Sequence, residues 1–196
     1  MNRLKFLLLF LFLFSLGCGS TRAVYKQSTI VPNPFSAPLL SSDVKQSYIS
    51  AINTMRSKGR TCGNAGYFPA VGPLKWSTHL YRAAHEHSTD MSTNNMFVHL
   101  GSGTASDWTA RVQQLGRVSN FTDRIENNGY TQWKRLAQNI AGGMPSLNQT
   151  MTQWETSEYH CVNIMNPVFT DFGMAHTYQK GTKSSHYWTQ NFATHQ

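Results

Sequence analysis

Acidic side chains are scarce in this chain, and the basic ones are scattered. Nine Asp and Glu face seventeen Lys and Arg, for a formal charge of +8. Such a balance suits anionic headgroups, wall polymers or nucleic acid. No dense Lys/Arg run interleaves with aromatics, so no nucleic-acid partner is expected. The apolar block Phe6 to Phe14 ends before the roughly 20 residues a membrane-crossing helix needs. There is no glycine-rich phosphate loop, and Gly101-Ser102-Gly103 lacks the Gly-x-Ser-x-Gly spacing of a nucleophile elbow. Phosphate-cradling and elbow-type serine chemistry are thereby set aside. No internal repeat is found, which excludes solenoids and propellers.

What is present starts with an export layout. The cationic Met1-Asn2-Arg3-Leu4-Lys5 precedes the apolar block, which closes on Ser15-Leu16-Gly17-Cys18. Residues 1–17 read as a signal peptide, and Cys18 resembles the acylated cysteine of a bacterial lipobox, although Ser15 stands where leucine is usual. Removing residues 1–17 takes away Arg3 and Lys5 and no acid, lowering the formal charge from +8 to +6. The expectation is an exported protein, lipid-anchored to a bacterial membrane and facing the periplasm or the exterior. Residues 18–40 are polar, with Pro32, Pro34 and Pro38, and read as a tether. Residues 41–196 suffice for one core and not for two, and a monomer is expected.

With Cys18 assigned to lipid, Cys62 and Cys161 are left as a pair. In an exported chain such a pair reads as a disulfide rather than as two reactive thiols. Although His160 adjoins Cys161, neighbours in a chain seldom point at each other productively, so a thiol enzyme is disfavoured.

Periodicity predicts helices first and strands late. Ser42 is the expected N-cap of a helix carrying Val44, Tyr48, Ile52 and Met55 and stopped by Gly59. Ser77 caps a second helix with Leu80, Ala84, His87 and Met91 on one stripe, ended by Asn94-Asn95. Trp108, Val112 and Leu115 suggest a short third, and Ser146 opens a fourth with Leu147, Met151 and Trp154. Phe169 to Tyr178 and Ser185 to Thr194 alternate in polarity around Gly181 and predict a β-hairpin. The class is α+β. His87 is expected to be a hydrogen-bonded core histidine. His79 and His85 fall off the stripe, and His176 and His186 lie on the expected strands.

Several segments together carry a family resemblance: Pro73-Leu74-Lys75-Trp76, Ala84 to Met91, Asn95-Met96-Phe97-Val98-His99, Trp154 to Met165, and Tyr187-Trp188-Thr189-Gln190-Asn191-Phe192. In this order they resemble the bacterial type of the CAP superfamily, the SCP-like or cysteine-rich secretory protein domains. The resemblance implies an α-β-α sandwich, here closed by one disulfide. It also implies a cleft with two histidines and usually two acids, which binds a divalent metal in some members. By motif position the histidines are His99 and His160. The position before the Asn-Ile dipeptide, often an acid, is Gln138, and the position three after the tryptophan, also commonly an acid, is Ser157. An amide can hydrogen-bond an imidazole but supplies no charge. Zinc normally takes at least three protein ligands, so a zinc site at His99 and His160 needs another donor. Glu126 and Glu158 are the candidates, although solvated surface carboxylates are the expectation for both. The implied function is a surface module binding a lipid, wall-polymer or protein ligand, and the alternative is a metal-dependent hydrolase using the same cleft.

Overall fold

The computed structural model describes residues 36–195. The expected signal peptide, Cys18 and most of the tether lie outside them. Within them, the chain folds as a three-layer α-β-α sandwich.

The first helix, α1 (Ser42–Arg56), is capped one residue earlier than expected: Ser41 Oγ accepts from the Val44 amide at 3.3 Å. It buries Tyr48, Ile52 and Met55 and leaves Val44 exposed. At its end Arg56 is buried, donating through Nε to Gly72 O (2.8 Å) and through Nη1 to Asn166 O (3.0 Å). An antiparallel ribbon follows, β1 (Arg60–Thr61) and β2 (Tyr67–Phe68), enclosing a 3-10 turn at Gly63–Ala65. The next elements are β3 (Lys75–Trp76) and α2 (Thr78–Thr93), the latter capped by Ser77 as predicted. This helix stops because Asn95 takes φ +52 and the Met96 amide reaches back to Met91 O at 3.0 Å, the Schellman closure that asparagine can support.

The third helix, α3 (Trp108–Val112), is shorter than expected and does not reach Leu115. Gln114 at φ +51 and the Leu115 amide bonded to Ala110 O (3.0 Å) close it in the same way. Then come α4 (Phe121–Asn127), β4 (Trp133–Gly142), α5 (Leu147–Thr156), α6 (Glu158–Met165), β5 (Asp171–Tyr178) and β6 (His186–His195). The late hairpin is β5 and β6, as predicted.

The main sheet runs β3-β5-β6-β4. Here β3 is parallel to β5, β5 antiparallel to β6 and β6 antiparallel to β4, which therefore forms one border of the sheet. One face packs on α1, α5 and α6 around Trp154, Phe172, Trp188 and Phe192. The other face is covered by α2 and α4 through Leu80, Ala83, Ile125 and Ala193. The approach of α2 is close enough to require glycine at 173, where an added Cβ would lie 2.1 Å from the Tyr81 amide nitrogen. The disulfide Cys62–Cys161, with Cα atoms 5.4 Å apart, ties the β1–β2 ribbon to α6. The domain's contacts begin slightly before Ser41, since the Tyr81 hydroxyl donates to Pro38 O at 2.8 Å and Leu40 packs on the core.

Candidate functional site

The site is organised by two successive amides at the sheet border. Side chains of consecutive strand residues point to opposite faces, so Gln138 and Asn139 on β4 serve different layers. Both are buried, at 7% and 0% exposure, where an unpaired amide would be costly. Gln138 turns to the α2 side and meets His99, with Nδ1 to Oε1 2.9 Å. Asn139 turns to the other side, where its Nδ2 donates to the His160 carbonyl at 3.2 Å and its Oδ1 accepts from Asn163 Nδ2 at 2.9 Å.

A chain of hydrogen bonds sets the state of His99. Asn191 Nδ2 donates to the Leu80 carbonyl (3.2 Å), an unambiguous acceptor. Its Oδ1 therefore accepts from Gln138 Nε2 (3.0 Å), which leaves Gln138 Oε1 as the acceptor facing His99. Nδ1 of His99 must then carry a proton, which leaves Nε2 outside this relay. A carboxylate in the place of Gln138 would hold the same tautomer and favour the charged ring as well. The amide does only the first.

The backbone of His99 is held by Arg124, whose Nη2 donates to His99 O at 2.7 Å while Nη1 donates to Ser119 O and Oγ (3.1 and 2.9 Å). Burial pushes the Arg124 guanidinium down to about 10, against the pull of Glu86, Asp107 and Asp90, so it stays charged at pH 7. Those buried acids order the loop after His99. Asp90 accepts from Ser102 and Ser106, and Asp107 from the Gly103 and Ser119 amides.

His160 sits in the first turn of α6, beside the disulfide and 6.5 Å from the Trp154 ring centre. Its Nδ1 is buried with no hydrogen-bond partner, and burial, followed by the charge of His99, lowers its pKa below the usual imidazole value. His99 thus acts on His160 from the opposite layer of the sandwich. Val98 and Leu100, on either side of His99, and Tyr159, beside His160, are exposed apolar side chains.

Neither candidate acid joins them. Glu126 is exposed and its Oε1 accepts from the Trp133 indole at 2.9 Å, while Glu158 Oε2 accepts from the Asn64 amide at 2.7 Å across the disulfide ribbon. Ser157 is the residue between α5 and α6, and its hydroxyl makes no capping bond. Among the described residues, no three or more His, Cys, Asp or Glu side chains gather so as to hold a metal ion. A zinc centre with three protein ligands does not fit this donor set, because Oε1 of Gln138 is committed to His99 and both glutamates are engaged elsewhere. His87 is fully buried with Nε2 3.0 Å from Val98 O, a core histidine under the same loop. Asn191, Asn139 and Arg124 were not among the candidates read from the sequence. Asn139 and Asn191 stand inside the quoted motifs, while Arg124 lies in a segment, Asp123 to Tyr130, that resembles a family helix and turn without being a site candidate.

Comparison with known proteins places the chain in a family. The model of the cysteine-rich secretory protein family, CAP, matches residues 49–192. Protein YkwD of Bacillus subtilis (strain 168) is 26% identical over 157 residues, which make up 80% of this chain and 49% of that protein. The chain thus spans about half the length of the curated relative it matches. The crystal structure of an extracellular protein containing an SCP domain from Bacillus anthracis str. Ames has a TM-score of 0.54 at 23% identity, covering 81% of this chain and 45% of that one. An outer surface protein of Borrelia burgdorferi reaches 0.56 at 15% identity, covering 82% and 99%. The matched span takes in His99, Gln138, His160 and both cysteines of the disulfide, and on that ground the chain belongs to the CAP family of cysteine-rich secretory proteins.

Proposed function

We propose that this chain is an exported, lipid-anchored protein of the bacterial surface or periplasm, whose domain binds a lipid, wall-polymer or protein ligand in the cleft between His99 and His160. The observation that carries this reading is the neutral relay behind His99. Gln138 and Asn191 hold the proton on Nδ1 without adding charge, so the exposed His99 offers Nε2 and apolar neighbours rather than a carboxylate-activated base. Such a set suits recognition by hydrogen bonding and apolar contact. Export and anchoring are supported by the cationic and apolar leader ending at Cys18, and by the extracellular and outer-surface designations of the two structural neighbours. No helix among the described residues is long and apolar enough to cross a membrane.

The metal-dependent hydrolase is the competing reading, and one titration separates the two. Isotope-labelled protein is monitored at the His99 and His160 rings while soluble wall fragments, phospholipid micelles or Zn2+ are added. The binding module predicts saturable ring shifts with one of the organic ligands, abolished in His99→Ala. Stoichiometric Zn2+ uptake lost in the His99→Ala/His160→Ala double variant, together with ester or peptide cleavage, would replace it with the hydrolase.

A further inference from the structure

A second histidine pair lies on the sheet itself. His176 on β5 pairs with Trp188, and His186 on β6 pairs with Tyr178, which makes the two histidines diagonal neighbours on one face of the hairpin. Nε2 of His176 is 3.0 Å from Nδ1 of His186, with the rings 10° from parallel and their centres 5.2 Å apart. We propose that His176 and His186 form a binding site for a late first-row divalent ion, copper foremost, with water completing the coordination.

The spacing carries the argument. Two imidazole nitrogens bound to one ion at about 2.0–2.1 Å, roughly at right angles, lie about 3 Å from each other. The pair already holds that separation, and a turn of the His186 ring would aim both lone pairs at one ion. His176 is fixed by stacking on Trp188 at 4.1 Å, and Trp188 is itself held by its indole donating to Met144 O at 2.8 Å. His186 is the adjustable partner, at the start of β6 after Ser185, whose φ of +57 turns the hairpin, with Tyr178 4.9 Å away. Both imidazoles are half-buried, which leaves water access for the remaining positions.

Without metal, one facing nitrogen carries the hydrogen of an N–H···N bond. On binding, that hydrogen moves to the other nitrogen of the same ring, both facing lone pairs go to the ion, and the neutral pair releases no net proton. Imidazole suits copper, nickel and zinc, and affinity at a fixed donor set peaks at copper. Two imidazoles plus waters meet copper's tetragonal preference, whereas structural zinc asks for four protein ligands. The site is separate from Gln138, whose partner on β6 is Asn191, five residues along the strand from His186.

The test is a Cu2+ titration of the full chain, free of any histidine tag, in detergent, followed by calorimetry and electron paramagnetic resonance. One equivalent should bind, with hyperfine structure from two equatorial nitrogens. His186→Gln should weaken it about tenfold or more, while His99→Gln/His160→Gln leaves it intact. Paramagnetic broadening in the unaltered protein gives a second readout, striking the His176, His186 and Trp188 rings before His99 even if His186→Gln does not fold. Undiminished affinity in His186→Gln, loss in the His99/His160 variant, broadening centred on His99, or no stoichiometric binding would each overturn the assignment.

Discussion

Replacing Arg124 by methionine tests whether the loop bearing His99 is held by buried charge. Arg124 is 1% exposed, and so are Glu86, Asp90 and Asp107, the acids whose charges it offsets. Removing one partner from a buried ionic group typically costs about 3–5 kcal/mol, because the remaining charge is left uncompensated. Against a total stability of about 5–15 kcal/mol, that is a large share. For a domain of this size it corresponds to a drop in melting temperature of roughly 6–20 °C. The partner expected to respond is Glu86. Burial already raises its pKa against hydrogen bonds from Thr109 and Asn128 and the pull of Arg124, so without the guanidinium it should take up a proton. Glu86→Gln in the Arg124→Met background should therefore recover part of the loss, which urea denaturation followed by circular dichroism would measure as a double-mutant cycle. The His99 carbonyl loses its 2.7 Å donor as well, so the amide signals of residues 98–102 should shift or broaden. A loss below about 1 kcal/mol, or a double variant no more stable than Arg124→Met, would refute the reasoning.

Three further outcomes are expected. Cys62→Ala/Cys161→Ala opens a crosslink spanning 99 residues, and by loop-closure entropy should cost about 4–5 kcal/mol in chemical denaturation; unchanged stability would deny the crosslink that role. Gly173→Ala places a methyl 2.1 Å from the Tyr81 nitrogen and 2.4 Å from the Leu80 carbonyl carbon, so α2 must lift and the melting temperature must fall; a neutral result would contradict the packing of α2 on β5. Acid should also destabilise the fold through its buried histidines. His87, His160 and His176 all have lowered pKa values, His176 to about 4, chiefly through burial. The unfolded chain takes up protons near pH 6.5 that the folded one refuses, so stability is complete above about pH 6.5 and declines toward pH 4. Glu86, with its raised pKa, acts with the opposite sign but is one group against three. Thermal melts at pH 7 and pH 4.5 would show the fall, and equal melting temperatures would disprove it.

The legible parts of this fold were those with strong periodicity. The stripe of α2 and the alternation of β5 and β6 predicted their own burial, and two leftover cysteines predicted their bond. The missed elements have physical reasons. In β4 the sequence places Gln138 and Asn139 side by side, so two buried amides interrupt the alternation by which a strand is recognised. Helix α6 spans eight residues, too few for a 3.6-residue period to stand out. The site was half visible: His99 and His160 followed from the motifs, but their separate supports did not. Asn191 lies 53 residues from Gln138 and Arg124 lies 25 from His99, and only the folded chain brings these groups together. Glu126 and Glu158 were expected as solvated surface carboxylates, and the Trp133 indole and the Asn64 amide, both set by the fold, decide where they point.

The adjacency of Gln138 and Asn139 has a consequence for how this protein can change over generations. Sliding β4 by one residue along β6 would exchange the two amides between the layers, taking the brace from His99 and from the carbonyl of His160 in a single step. Insertions and deletions are therefore closed to this strand while the surface loops remain free to vary in length. The border of the sheet thus acts as a ruler that keeps the supports of His99 and His160 in step.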